Sequence, residues 1–335
     1  MRTRRTQHIM VVAVSAAVVV AAAIWVSDRP KDPAKAAATS EMYLKAFDGF
    51  SGYQDPIDPV ELSPLLPMVG EASLPPLGTP MPADQFEVVE KYLSLNAGSL
   101  ALMHQAGGSR ECRWPAEYRD TSGMPYHKLE DRFRQGLRLL CLEAACRAQK
   151  GEYDGAAQSV ISALAMARNM SSIRGFLPRI MRETGESVAL SALERALNLG
   201  PVPAARLAEL ADAVNEAEAA VHLPRSSVDA KDVQRVLGYW HAALRLAQTA
   251  IAVERYRAVE GGLPTALDEL AQKYLAAIPL DPFAAKSPIK YRQTTQGYRV
   301  YSIGPDGIDQ NGERSSGTRE KGDLTFAVER KGERE

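Results

Sequence analysis

The chain has no surplus of charge of either sign: 40 lysines and arginines stand against 41 aspartates and glutamates, a formal net charge of −1. A nucleic-acid binder neutralises phosphates with clustered cations, and here both signs are interspersed, so that class is set aside. Cysteine is scarce, with only Cys112, Cys141 and Cys146, and no Cys-x-x-Cys occurs, which removes zinc knuckles and thioredoxin-like pairs. The five histidines, His8, His104, His127, His222 and His241, are scattered, none at ligand spacing with another. Also missing are a Gly-x-Ser-x-Gly elbow, a His-Glu-x-x-His motif, a Gly-rich phosphate loop and a dinucleotide fingerprint. One catalytic pairing survives these absences: Cys112 as a nucleophile served by His104 or His127, which flank its loop. A buried thiol and surface imidazoles explain the same letters, so the expectation is a protein that is not an enzyme and has no evident small-molecule substrate.

Against those absences the N-terminus is distinctive. Arg2, Arg4 and Arg5 precede an uncharged run from Ile9 to Val26, about long enough to cross a bilayer as a helix. Arginines before it and Asp28 after it orient the N-terminus to the cytoplasm and the bulk of the chain outside. Residues 1–27 therefore read as a single-pass anchor in the inner (cytoplasmic) membrane, with an extracytoplasmic, periplasmic body. The alternative is a secreted protein cleaved after Ala21-x-Ala23. Export puts the cysteines in an oxidising setting, where Cys112 could bridge to Cys141 or Cys146; three small buried side chains is the other reading.

The body is expected to be α+β and mainly α. Residues 28–40, rich in Pro, Lys and Ala, read as a linker off the membrane. A helical domain follows over 41–223, with a proline-crowded segment at 55–82 whose interleaved leucines would wrap it in extended form. Asp84 and Glu87 suggest a capping box for a helix carrying Phe86, Val89, Leu93, Ala97 and Leu100. Leu129 to Ala144 and Ala157 to Ala167 make a hairpin about Lys150-Gly151, and further helices cover 188–199 and 203–221. From Val233 a long apolar stripe runs past Ile251 to Gly261-Gly262. A short helix is expected from Thr265 to about Tyr274, then strands at Ile289–Arg292, Tyr298–Ile303 and Leu324–Val328. The hairpin, with Ala144, Ala148, the Gly151-x-Tyr153 turn, Ala156 and Ala163-Leu164, is similar to a single tetratricopeptide unit, which implies a peptide- or protein-binding module as one possible role.

An ordered set of residues marks the C-terminal part: Tyr256-Arg257, Gly262-Leu263-Pro264, Leu267, Leu270, Ile278-Pro279-Leu280-Asp281-Pro282-Phe283, Tyr291, Tyr298, Ser302 to Gly307, and Gly322-Asp323-Leu324. Over about 231–330 it resembles the globular domain of the major (G-type) pseudopilins of type II secretion systems. The resemblance implies a pseudopilin-like module over 229–335, a long helix leading into a small antiparallel sheet, with calcium in the loop between the last strands. The residues themselves agree in part, because calcium takes six to eight hard oxygens on a sharply turning backbone. Asp306, Asp309 and Asn311, with Gly307 and Gly312, provide these within the loop, and Asp323 can close it; an ordinary turn selects the same residue types. The role these readings imply is a structural or protein-interaction protein of the cell envelope, with protein partners there, associated with a type II secretion-like apparatus. A peptide-binding module and an enzyme with a site between the domains are the rivals.

Overall fold

The computed structural model describes residues 30–51, 78–219, 230–284, 287–313 and 321–330. The apolar run at 9–26, most of the proline-rich segment and the expected boundary at 223–229 lie outside these. The first element corrects the linker reading. Asp32 accepts hydrogen bonds through its side chain from the N–H groups of Ala34 and Lys35, Pro33 occupies the first turn, and helix α1 runs Pro33–Asp48. An Asp-Pro pair is a helix start, since proline's missing N–H costs nothing in the first turn. Ala36, Tyr43, Ala46 and Phe47 bury one face of α1, so residues 33–40 belong to the body.

The helix expected after Asp84 is two helices. α2 (Ala83–Leu95) starts behind Pro82 with no side-chain cap, so the capping box is not formed, and α3 (Ala97–Gly107) begins after a break at Asn96. That side chain is 1% exposed. It donates to the carbonyls of Tyr92 (2.9 Å) and Ser51 (3.0 Å) and accepts from Ser51 N–H (2.9 Å), pinning the break to the end of α1. α4 (Met124–Gln149) and α5 (Tyr153–Asn169) form the expected hairpin. α6 spans Phe176–Leu199, a dozen residues more than its apolar pattern suggested, α7 spans Ala204–Ala219 and α8 spans Ala230–Glu260.

Strands β1 (Lys290–Thr294), β2 (Gly297–Ser302) and β3 (Leu324–Glu329) make one antiparallel sheet in the order β1-β2-β3. Tyr291 pairs with Val300, and Val300 with Phe326. Where a short helix was expected after Thr265 there is one 3-10 turn, Leu267–Leu270. The chain cannot continue helically because Gln272 takes φ 67° and its N–H bonds Leu275 O at 2.7 Å.

The fold is therefore mainly helical with a small antiparallel sheet, and a single apolar cluster runs from Tyr43 on α1 to Val328 on β3. Helices approach closely at Gly185 of α6, where an added Cβ would lie 2.9 Å from Leu137 Cδ1 and 3.1 Å from Ala167 Cβ. The sheet is tied to the helices by polar bonds as well. The outward edge of β3 is met by α6: Ala327 N–H donates to Glu194 Oε1 (2.6 Å), and Asn198 bridges Ala327 O and Glu329 N–H (both 2.7 Å). Arg330 then donates to Leu197 O (2.7 Å) and Glu254 Oε2 (2.5 Å). An unpaired strand edge is a liability, and α6 closes this one with side chains.

Candidate functional site

The loop from Ile303 to Asp323, between β2 and β3, is the candidate metal centre, and a clasp outside it fixes its first residues. Asp281, 4% exposed, accepts through Oδ1 from Ser302 Oγ (2.7 Å) and Phe283 N–H (2.9 Å), and through Oδ2 from Ile303 N–H (2.9 Å). Two residues on, Phe283 packs on α8: its ring meets Tyr239 edge-on at 5.4 Å and occupies the space a Cβ at Gly238 would need, 2.7 Å away. The Asp281-Pro282-Phe283 motif thus locks the loop's entry to the long helix. Ring closure needs glycine at Gly304, which has φ 68° and where a Cβ would fall 2.3 Å from Gly322 O. The two ends of the loop touch there, and no other residue fits.

The four predicted ligands divide. Asp323, 3% exposed, accepts through Oδ2 from Gly312 N–H (2.7 Å) and Gln310 N–H (3.0 Å). Its other oxygen, Oδ1, is buried and has no partner among the described residues, and the same holds for Oε1 of Gln310. Burial raises the Asp323 carboxyl above its ordinary value, against the two N–H donors that lower it, with the negative charges of Asp309 and Asp306 adding to the rise. Asp306 accepts from Gly322 N–H (2.9 Å) and Ile308 N–H (3.1 Å), which hold it low. Asp309 accepts from Asn311 N–H (2.9 Å) and is drawn outward to Lys290 at 3.0 Å, both of which lower it. Asn311 contributes a left-handed turn, φ 60°, and its carbonyl, which accepts from Arg292 at 3.4 Å.

The loop thus brings Asp306 and Asp323 together around Gln310 and leaves Asp309 paired with a lysine. Among the described residues no three His, Cys, Asp or Glu side chains converge as a metal-holding group. Gln310 bonds both carboxylates, through its N–H to Asp323 (3.0 Å) and its Nε2 to Asp306 (3.3 Å), and the oxygens of these three side chains are hard donors, the type calcium takes. Gln310 was missed in the sequence because a glutamine in a polar loop carries no pattern. Asp281 was visible in the motif that carried the family resemblance, but its part in holding the loop was not.

The catalytic pairing at Cys112 does not form. Burial pushes the Cys112 thiol up to about 12, far from a thiolate nucleophile, and His127 faces Glu130. His104 instead joins a polar network between α3, α4 and α5: its Nδ1 meets Ser162 Oγ at 2.8 Å and its Nε2 meets Glu143 Oε2 at 2.7 Å. Ser159 and Arg147 complete the shell of Glu143 at 2.8 and 2.7 Å. Serine, histidine and glutamate in that order have the parts of a hydrolytic triad. Ser162 is 1% exposed, however, and the main chain of Gly107 stands over it, a Cβ there falling 3.4 Å from its Oγ. A substrate has no approach.

Nor do the cysteines pair: all three are free and buried. Cys112 sits at the end of the bundle where α4 begins, while Cys141 and Cys146 lie 17 and 22 positions along that helix, about 25 and 33 Å at 1.5 Å per residue. Disulfides need Cα atoms within about 7 Å. A cleft of about 170 Å³ opens between α3, α5 and α7, lined by Gly107, Leu164, Arg168, Asp212 and Glu216. It is smaller than the roughly 300 Å³ at which pockets hold drug-sized ligands, and the Arg168–Glu216 pair (2.6 Å) crosses it. Searches of family models, of curated proteins and of solved structures found no match to this chain.

Proposed function

We propose that the chain is an exported, membrane-anchored structural or protein-interaction protein of the cell envelope, working alongside a type II secretion-like apparatus, with calcium in the loop 303–323. The observation that supports it is the C-terminal layout: a 31-residue helix leads through the Asp281 clasp into a three-stranded meander whose last loop buries two oxygens with no partner among the described residues. That layout carries the residues on which the resemblance to the major pseudopilins rests. The uncharged N-terminal run has no glutamate, and about two hundred residues separate it from α8, whereas a pseudopilin's hydrophobic helix carries a glutamate and continues directly into its globular domain. The reading is therefore an associated component and not a filament subunit. Fold by itself fixes no function, so partner and ion are tested separately.

The full chain, expressed with its N-terminal run intact, is fractionated and treated with alkali, then exposed to protease from the outer face of the membrane. Retention in the membrane with digestion of the body supports the anchored, exported reading; release by alkali refutes the anchor. Cross-linking in cells that carry a secretion apparatus, followed by identification of the partners, tests the association. For the ion, the full chain is melted with calcium and with chelator, since a ligand bound only by the native state raises its stability. A higher melting temperature in calcium, lost in Asp323→Asn, is expected; identical curves refute calcium at this loop.

A further inference from the structure

The bundle has two unlike ends, and hydrogen bonds and packing contacts fix which elements meet at each. Lys31 and Asp32, just before α1, donate their N–H groups to Glu111 at 2.9 and 3.0 Å, and Arg113 N–H bonds Ala36 O at 2.9 Å. The same loop meets the end of α5, with Ser109 O accepting from Arg168 at 3.0 Å and Trp114 donating to Asn169 O at 3.0 Å. Tyr126 on the first turn of α4 reaches Met181 of α6 at 3.0 Å, and Thr121 lies against Gly175. The starts of α1, α4 and α6 therefore share one end. Gln149, Glu152 and Leu199 are at the other, where α4 turns into α5 and Tyr153 bonds Leu199 O at 3.0 Å.

The first end carries large apolar side chains in the open. Phe176 is 74% exposed, Leu177 40% and Ile180 39%, all on the first turns of α6, and Met124, opening α4, is 67% exposed. Lys31, Lys35, Lys128 and Arg174 are exposed at the same end, as are Asp32 and Asp120. Charge there is mixed, so the apolar side chains, and not a basic field, select the partner.

The tether decides which partner that is. Five residues, Ser27 to Lys31, separate the apolar run ending at Val26 from the cap residue Asp32. Fully extended they span about 20 Å at roughly 3.3–3.6 Å per residue. The 26-residue α4 is about 39 Å long, so the short tether holds this end, and not the far one, against whatever the run is embedded in. We infer that the end of the bundle formed by the starts of α1, α4 and α6 rests on the membrane, with Met124, Phe176, Leu177 and Ile180 entering the headgroup boundary of the bilayer. Aromatic and aliphatic side chains backed by lysine and arginine are the composition that binds that layer. The inference rests on the anchored reading above and adds the orientation: the body lies with this end down, and the α4–α5 turn points into the aqueous space.

The test uses the full chain in vesicles of phosphatidylethanolamine and phosphatidylglycerol. Phe176→Cys, Ile180→Cys and Glu152→Cys are each labelled with an environment-sensitive fluorophore, the native thiols being buried. Quenching by a lipid spin-labelled near its headgroup is expected to be several-fold stronger at 176 and 180 than at 152, with the reverse order for a water-soluble quencher. Equal exposure to water at all three positions overturns the inference. So does protection at 176 and 180 from both quenchers, which assigns the patch to protein, a second copy or the chain's own 220–229 segment. Release of the chain from the vesicles by alkali, measured on the same samples, marks failure of the anchored reading itself and is scored apart from the quenching.

Discussion

Asn198 gives the sharpest test of whether the sheet and the helices are one folding unit. Its amide spans α6 and β3: Nδ2 donates to Glu194 O and Ala327 O, Oδ1 accepts from Glu329 N–H, all at 2.7 Å, and the side chain is 4% exposed. In Asn198→Ala the Ala327 carbonyl and the Glu329 N–H lose their partners. A buried group left unsatisfied costs about 1–3 kcal/mol, so two orphans, eased by some water entry at the strand edge, predict a loss of about 2–4 kcal/mol. Urea unfolding of the full chain reads this as a lower midpoint with an unchanged slope. Because one apolar cluster joins α1 to β3, fluorescence and far-ultraviolet dichroism are expected to fall together in the variant as in the parent. Hydrogen exchange at Glu329 should quicken, while Val328, bonded inward to β2, stays protected until global unfolding. A loss below about 0.5 kcal/mol, or two separated transitions in the parent chain, would refute the single-unit reasoning and restore an independently folding C-terminal module.

Three further outcomes are expected. Gly304→Ala places a Cβ 2.3 Å from Gly322 O at φ 68°, so the loop must open; a melting temperature lowered by several degrees and loss of any calcium response are expected, and a neutral variant would refute the closed loop. Burial raises the Glu186 carboxyl to about 7, against the opposing pull of Arg182 and Trp240. Its folded value lies above its ordinary 4.5, so its contribution is complete below about 4.5 and is lost as pH rises through about 7. At roughly 1.4 kcal/mol per pH unit the stability difference between parent and Glu186→Gln should fall by about 3 kcal/mol over that window, and a flat difference in pH-dependent urea titrations would sink the assignment. The free thiols, each pushed up to about 12 by burial, should resist maleimide in the native chain and yield three equivalents in urea without reductant; one equivalent would demonstrate a disulfide.

What was legible in the sequence was what periodicity controls. The α4–α5 hairpin and the long stripe of α8 follow from apolar residues at helical spacing, and the three strands follow from β-branched and aromatic composition broken by Gly297 and a polar loop. The misreadings share a cause: side chains acting on the backbone locally. Pro33 looked like a linker residue until Asp32 capped the turn. Leu93, Ala97 and Leu100 kept helical spacing across a break at Asn96, whose amide bonds Tyr92 O and reaches back to Ser51. At the loop, the carboxylates were visible as residue types. Their division was not, since Lys290 on β1 draws Asp309 away and Asp323 folds inward, and both depend on strand register. The His104–Glu143–Ser162 network joins residues 39 and 58 positions apart, and of its members the sequence reading singled out His104 alone, for a different partner.

That network belongs to a wider arrangement. The helix faces here are smooth: α5 buries Ala156, Ala157, Ala163, Ala165 and Ala167, and small side chains alone allow neighbours to slide. At three places the contacts between elements instead contain a buried carboxylate with fixed partners. Glu143 joins α3, α4 and α5. Glu186 joins α6 to α8 through Trp240 at 2.8 Å, while its partner Arg182 reaches α7 at Ala217 O at 2.9 Å. Glu254 ties α8 to the end of β3 through Arg330. A buried ion pair is a weak source of net stability because desolvation offsets its attraction, yet removing one partner costs about 3–5 kcal/mol. The same asymmetry penalises any register in which these pairs miss one another. On that argument alanine-rich packing supplies the cohesion, and three carboxylates select which of the possible helix alignments is the native one.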